Sequence, residues 1–515
     1  MSTKIFSAAI SGLEAEIIEV ETDVSYGLRS FNIVGLPDKS IEESKERVGA
    51  AIKNSGLKSP FSQPQKVLVN LAPADLKKEG SLYDLPIALG YLTASGQINF
   101  NSQKRIFIGE LSLNGKLKSI KGTLSIALTA RDKGFNELIL PKINAYEAAA
   151  VLFENNNKDF KIIGVESLKE TINYLENKIK IEPFKIDIQN LPLEENYSFN
   201  FSWIKGQESA KRALEIAAAG GHNILLEGPP GTGKSLLARS LPSILPLLNF
   251  EESLEVTKIY SIAGLLPQNI SLIKTRPFRS PHHTTSEAAI IGGGNPIKPG
   301  EITLSHRGVL FLDEFPEFHR DILESLRQPI EEGKITILRA KEKFTFPARF
   351  LLVAAANPCP CGYYKDPNKQ CTCQPSQIAK YRRKLSGPLM DRIDIVVNVP
   401  PVKFEKLITP DNENITLKIR EKIQKAREIQ NERFSKIKNK FFLNSEMEAV
   451  EIKKYCQIDF KSQNILRKFI DSGKISTRGY YRILKTARTI ADLEESENIK
   501  YDHLLEALNY RIREN

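Results

Sequence analysis

The sequence predicts an α/β protein: a parallel sheet flanked by helices at the centre, an α+β domain before it and a helical domain after it. Three observations predict this. Residues 223–235, NILLEGPPGTGKS, pass from a short apolar strand through a glycine-rich turn into the helical pattern LLARSLPSIL. Two further apolar runs, GVLFLDEF at 308–315 and RFLLVAAANP at 349–358, read as strands that end in polar groups. Beyond residue 400 the pattern is helical, through ENITLKIREKIQKAREIQNERF, SQNILRKFIDSG, YYRILKTARTIADLEE and YDHLLEALNYRIRE.

Taken in order, residues 1–180 alternate strand patterns (KVLVNLAP, KRIFIGEL, NELILP) with helical ones (SIEESKERVGAAIKNSG, TLSIALTARDKG), the mixture of an α+β domain. Residues 181–200 are polar and irregular with two prolines, and predict a linker. The block 201–400 carries the glycine-rich turn and the strands with polar ends, and 401–515 the helices. The opening, MSTKIFSAAISGLEAEIIEV, carries acids where a signal peptide would be apolar, so it reads as a first strand of a cytoplasmic protein. No stretch approaches the ~20 apolar residues that span a bilayer, and no membrane partner is expected. The net charge is +11, and between Lys334 and Asp394 twelve Lys/Arg face four Asp/Glu. Basic charge concentrated this way would attract a phosphate backbone, although a solvated surface without a partner is the plain alternative.

GPPGTGKS at 228–235 is G-x-x-x-x-G-K-S between a strand and a helix. Gly228, Gly231 and Gly233 let backbone N–H groups close around phosphate, and the helix N-terminus adds partial positive charge. Lys234 is expected to reach the β- and γ-phosphates of ATP, and Ser235 to ligate Mg²⁺. Asp313, at the edge of its strand, suits the second Mg²⁺ contact, and Glu314 can polarise the attacking water. Asn357, on a neighbouring strand, is able to orient that water. Arg392 in SGPLMDRIDIVV and Arg478 in STRGYYRILKTARTIADL are candidates for the extra cations that phosphoryl transfer uses, and either is equally suited to a surface salt bridge. The pair His282-His283 suits hydrogen bonding more than metal ligation.

GEITLSHRGVLFLDEF together with SGPLMDRID resembles the AAA+ clade of magnesium-chelatase ATPase subunits and MCM helicases. More closely, IKGQESAKRALEIAAAGGHNILLEGPPGTGKS, RPFRSPHHTTSEAAIIGGG, NPCPCGYY and STRGYYRILKTARTIADL resemble the bacterial ComM/YifB family of magnesium-chelatase-like proteins, across essentially the whole chain. That resemblance implies a P-loop AAA+ core with a helical lid, in a hexameric ATPase whose activity is DNA branch migration during natural transformation. It implies Arg392 as an arginine finger acting in trans, Arg478 as the sensor of the lid, and Gly206 and Gln207 near the adenine. The segment IIGGGNPIKPGEI resembles the clade's insert and brings Lys298 near a pore. Residues 335–350 read as a β-hairpin with Lys341, Glu342 and Lys343 at its tip, which in the clade points into the central channel toward DNA. Charged tips are equally what a solvent-exposed turn requires. The runner-up function is a chelatase-like remodeller of protein or metal-insertion partners.

The first domain resembles the Lon-protease fold over 66–91 and 108–127, but Leu82 and Leu124 stand where the resemblance expects the Ser–Lys dyad. Ser81 and Lys121 are each offset, so proteolysis is not expected. Five cysteines in a cytosolic chain predict no disulfides. Cys359, Cys361, Cys371 and Cys373 form C-x-C-x₉-C-x-C, a pattern able to close a structural Zn²⁺ site, with four reduced thiols as the alternative. Cys456 reads as a packing residue.

Overall fold

The structure is a computed structural model that describes residues 2–153, 159–185, 197–268, 270–294, 297–339, 342–366, 369–384, 389–407, 414–435 and 443–511. They form two compact units. The first comprises residues 1–193, 249–273 and 294–298, and the second residues 194–248, 274–293 and 299–515. Among the described residues no helix is long and apolar enough to cross a membrane.

The first unit is built on a seven-stranded mixed sheet in the order Ser30–Val34, Gln65–Ala72, Glu14–Tyr26, Ser2–Ser11, Arg105–Phe107, Glu137–Pro141, Lys161–Val165. Alternation decides which face is buried: Val67, Val69 and Leu71 enter the core, while Lys66 and Leu68 face out. Helix Asp84–Ala94, apolar on nearly every face, is buried almost throughout. Its Asp84 pairs with Arg47 at 2.8 Å. Leu82 and Leu124 both lie in this unit's core. The Ser81 hydroxyl donates to Glu110 and Lys121 packs over Gly264, so neither offset residue meets the other.

One helix of the expected 201–400 block packs here. Phe250–Ala263 starts with a capping box between Asn249 and Glu252. Its Phe250 and Leu254 rest on the core of the first unit, with the Phe250 ring 5.9 Å from that of Phe153. Ser261 donates to the buried carboxylate of Glu147, which also accepts from the Leu124 N–H at 2.7 Å. The sequence block missed this exchange because helical spacing shows which face is apolar, not which core receives it.

The second unit holds a five-stranded parallel sheet in the order Phe278–Arg279, Val309–Leu312, Leu351–Ala356, Ile224–Glu227, Ile395–Asn398. The central strands are buried throughout, which explains their continuous apolar runs (VLFL, LLVAAA). The helices Glu208–Gly220, Asn414–Phe434, Thr477–Leu493 and Tyr501–Asn509 share one core with the sheet. A polar clasp holds the C-terminal helices together, with Asn444 donating to Asp492 at 2.7 Å and Arg488 to the same carboxylate at 3.1 Å. Lys334–Arg339 and Glu342–Pro347 pair as an antiparallel hairpin within the expected region. Glu342 pairs with Arg339 and Lys343 with Leu338, however, so these two are strand residues and not the tip expected of them, while Lys341 lies outside the described residues.

Candidate nucleotide site

The glycine-rich turn leaves strand Ile224–Glu227 and enters helix Lys234–Ser240. Its glycines answer to different constraints. A Cβ on Gly228 would stand 2.3 Å from the Val399 carbonyl oxygen, so neighbouring backbone excludes it, rather than phosphate as the sequence suggests. Gly231 and Gly233 have open space but φ values of 78° and 86°, where L side chains are strained.

Lys234 folds back over the turn. Its Nζ donates to the carbonyls of Gly228 and Pro229 at 2.7 Å each, and to Asn357 Oδ1 at 3.1 Å. Burial lowers its pKa, with the charge of Asp313 acting in the opposite sense. Asn357 reaches the lysine because its strand is the immediate parallel neighbour of the P-loop strand, in the register Glu227↔Ala356. On the far side of that strand lies Val309–Leu312, which delivers Asp313 and Glu314 to the same edge. Ser235 Oγ donates to Asp313 Oδ2 at 2.6 Å, an oxygen pair that suits a hard cation such as Mg²⁺.

Glu314 is left-handed, with φ 49° and ψ 43°. Asp313 supports the turn by accepting the Glu314 N–H at 2.9 Å. The Glu314 carboxylate lies 3.2 Å from His283 Nδ1. His283 in turn sits against His282 at 4.1 Å between ring centroids and edge-on to Phe318 at 6.4 Å. The sequence offers this His pair for hydrogen bonding but no partner, and the structure supplies one. Gln207, left-handed at the start of helix Glu208–Gly220, donates to Pro400 O and to Thr232 O, the latter at 3.4 Å. Its Oε1 is buried and has no hydrogen-bond partner among the described residues. Gly206 precedes it at φ 62°.

Three family models match this chain in succession. Subunit ChlI of Mg-chelatase covers residues 20–144, Magnesium chelatase, subunit ChlI covers 200–407, and its C-terminal counterpart covers 413–511. Competence protein ComM of Haemophilus influenzae is 41% identical over 512 residues, spanning 98% of this chain and 97% of that protein. The chain belongs to the ComM/YifB family. YifB of Escherichia coli, itself described as uncharacterized, is 40% identical over 98% of the chain and 96% of its own length. The Magnesium-chelatase 38 kDa subunit of Rhodobacter capsulatus is 25% identical over 61% of the chain and 88% of that subunit. As a member of the ComM/YifB family the chain is a magnesium-chelatase-like ATPase.

Arg392 is buried and pairs with Glu331 at 2.6 Å. Arg478 is exposed in the first turn of helix Thr477–Leu493. One turn on, Arg482 pairs with the buried Asp394 at the foot of strand Ile395–Asn398. Burial alone would raise the Asp394 pKa, but Arg482 and His222 beside it hold its carboxyl well below the usual range. Lys298 and Lys343 are exposed, while Lys341 lies outside the described residues.

The sulfurs of Cys359, Cys361, Cys371 and Cys373 all lie within 4.8 Å of one another. Backbone N–H groups at Tyr363 and Thr372 hold the Cys361 thiol down to about 5. Cys456 is buried in the second unit's core, where burial pushes its thiol up to about 12.

Proposed function

We propose that this ComM/YifB-family protein is a cytoplasmic, ATP- and Mg²⁺-dependent hexameric DNA motor that drives branch migration. One observation carries the reading: Lys234, Ser235, Asp313, Glu314 and Asn357 converge on the carboxyl edge of three adjacent parallel strands. Similarity over nearly the full length, at 41% identity, to a protein named for competence supports DNA as the substrate, as does the basic segment 334–394.

Phosphate oxygens would replace the carbonyls of Gly228 and Pro229 as partners of Lys234 and release Asn357 to orient water. Ser235 and Asp313 would part to hold Mg²⁺, which neutralises charge on the phosphates. Glu314 would exchange His283 for that water and accept its proton. An adenine amino group would satisfy Gln207 Oε1, the buried acceptor beside the P-loop. At a ring interface Arg392 would exchange Glu331 for the neighbour's γ-phosphate, and Arg478 would report nucleotide state to the helical lid. Lys298, Lys341 and Lys343 are the proposed DNA contacts. The first unit is read as a Lon-like domain in which the core residues Leu82 and Leu124 replace the dyad, leaving it a binding or assembly role.

Remodelling of protein or metal-insertion partners is a second reading, favoured by the fact that all three matching family models describe a magnesium-chelatase subunit. Strand exchange on a synthetic four-way DNA junction separates the two. Resolution that requires ATP and disappears in Glu314→Gln establishes the DNA motor. Steady ATPase that ignores every DNA structure, with no junction movement, establishes the remodeller.

A further inference from the structure

We propose that Cys359, Cys361, Cys371 and Cys373 bind one zinc ion as a tetrathiolate, and that this ion braces the wall of the nucleotide site through Pro230 and Asn357. The bracing half rests on the ATPase reading above; the metal half stands by itself.

The sulfur spacing points to a single ion. Cys359 and Cys361 are 3.4 Å apart, Cys361 and Cys371 3.6 Å, and Cys359 and Cys371 3.7 Å. A tetrahedron with Zn–S bonds of about 2.3 Å sets its sulfurs about 3.8 Å apart, whereas a disulfide would need about 2.05 Å. The two C-x-C turns are already cross-tied, because the Cys361 N–H donates to Cys373 Sγ at 3.3 Å. Such a bond fixes the direction in which the Cys373 sulfur presents its lone pairs. Four thiolates around Zn²⁺ carry a net negative charge, and the segment that holds them is basic: Lys369 lies 4.9 Å from the ring of Tyr363 and Arg382 lies 4.7 Å from that of Tyr364. The helix Pro375–Lys384, which ends Arg382-Arg383-Lys384, starts two residues beyond Cys373. All four ligand positions belong to cysteine, so no position is open for catalysis.

The chain itself and one close packing contact connect this knuckle to the nucleotide site. Cys359 follows Asn357, the partner of Lys234, by two residues. Gly362 closes the first turn with its N–H on the Cys359 carbonyl at 3.0 Å, and packs so tightly on the P-loop that a Cβ would meet Pro230 Cδ at 2.5 Å. On helix Pro375–Lys384 the buried Tyr381 has its pKa pushed up by burial, with the backbone of Asn357 acting against the rise. The described residues between Asn357 and Pro375 contain no helix or strand to hold these contacts in register. A metal cross-link supplies the order that such a loop lacks.

The test uses the full chain. Zinc is counted by elemental analysis, Co²⁺ is exchanged in to read the absorption of a tetrahedral tetrathiolate, and affinity is titrated with a fluorescent ATP analogue. One zinc per chain, a tetrathiolate cobalt spectrum, and loss of both in the Cys371→Ser/Cys373→Ser variant are expected. Nucleotide binding should weaken at least tenfold when zinc is stripped by chelation and return when zinc is restored. Chelation of the folded wild-type chain keeps the test valid if the variant does not fold. A wild-type chain without stoichiometric zinc and without the cobalt spectrum overturns the metal site. A zinc-loaded chain whose affinity stays within twofold after stripping overturns the brace. A zinc-loaded chain that binds no nucleotide overturns the ATPase reading and leaves the metal site intact.

Discussion

Lys234 is a buried ammonium that borrows two carbonyls and an amide oxygen until something more negative arrives. A charge-assisted contact of this kind is worth about 2 kcal/mol, so Lys234→Ala is expected to weaken nucleotide binding roughly 30-fold in a fluorescence titration. Lys234→Arg is expected to rescue little, because a planar fork cannot replace a compact cation in the same pocket. Glu314 is parked in a similar way, 3.2 Å from His283. Releasing a half-exposed pair of this type costs about 1 kcal/mol, so His283→Ala is expected to raise basal ATPase about fivefold with little change in KM. A fall in kcat would instead make His283 a support for the productive orientation. The P-loop, the acids at 313–314 and Asn357 were legible because each is fixed by its neighbours in sequence: a strand, a turn, a polar end. His283 was not, since its meaning depends on a partner 31 positions away, and local pattern carries no record of such pairs.

The P-loop turn separates two costs that a glycine pattern conflates. Gly228→Ala drives a methyl group into the Val399 carbonyl and is expected to destabilise the second unit by about 3 kcal/mol. Gly231→Ala meets nothing and carries only the left-handed penalty, about 1–2 kcal/mol. Urea denaturation of the two variants checks the ranking, and equal costs would mean that the close approach relaxes. The capping box at Asn249 gives a third value: Asn249→Ala is expected to cost about 1 kcal/mol, read as unfolding of the first unit. The strands were legible individually as apolar runs, and the existence of the hairpin as a charged turn between two of them, although its tip was expected too far along, over Glu342 and Lys343, which belong to a strand. Their order across the sheet was not written in any local pattern. Nor was the destination of helix Phe250–Ala263, which is amphipathic whichever core accepts it.

At the scale of the whole molecule, stability should depend on pH through Glu147. Burial raises its pKa, with Ser261 and the Leu124 N–H acting against the rise, so the folded carboxyl keeps its proton to higher pH than the unfolded one. The stability it contributes is therefore complete below its ordinary 4.5 and is lost as pH rises through the folded value. Glu147→Gln is expected to shrink the fall in unfolding midpoint between about pH 5 and about pH 8. An unchanged fall would assign the dependence to other groups. Glu147 also receives Ser261 from the helix that the middle of the chain lends to the first unit, and that loan has a topological consequence. The polypeptide passes between its two units five times, at residues 193, 248, 273, 293 and 298. A protease that nicks the backbone near residue 193 thus divides the covalent chain without dividing the cores. The N-terminal fragment still needs the 249–273 segment carried by the other, so the two pieces are expected to co-purify.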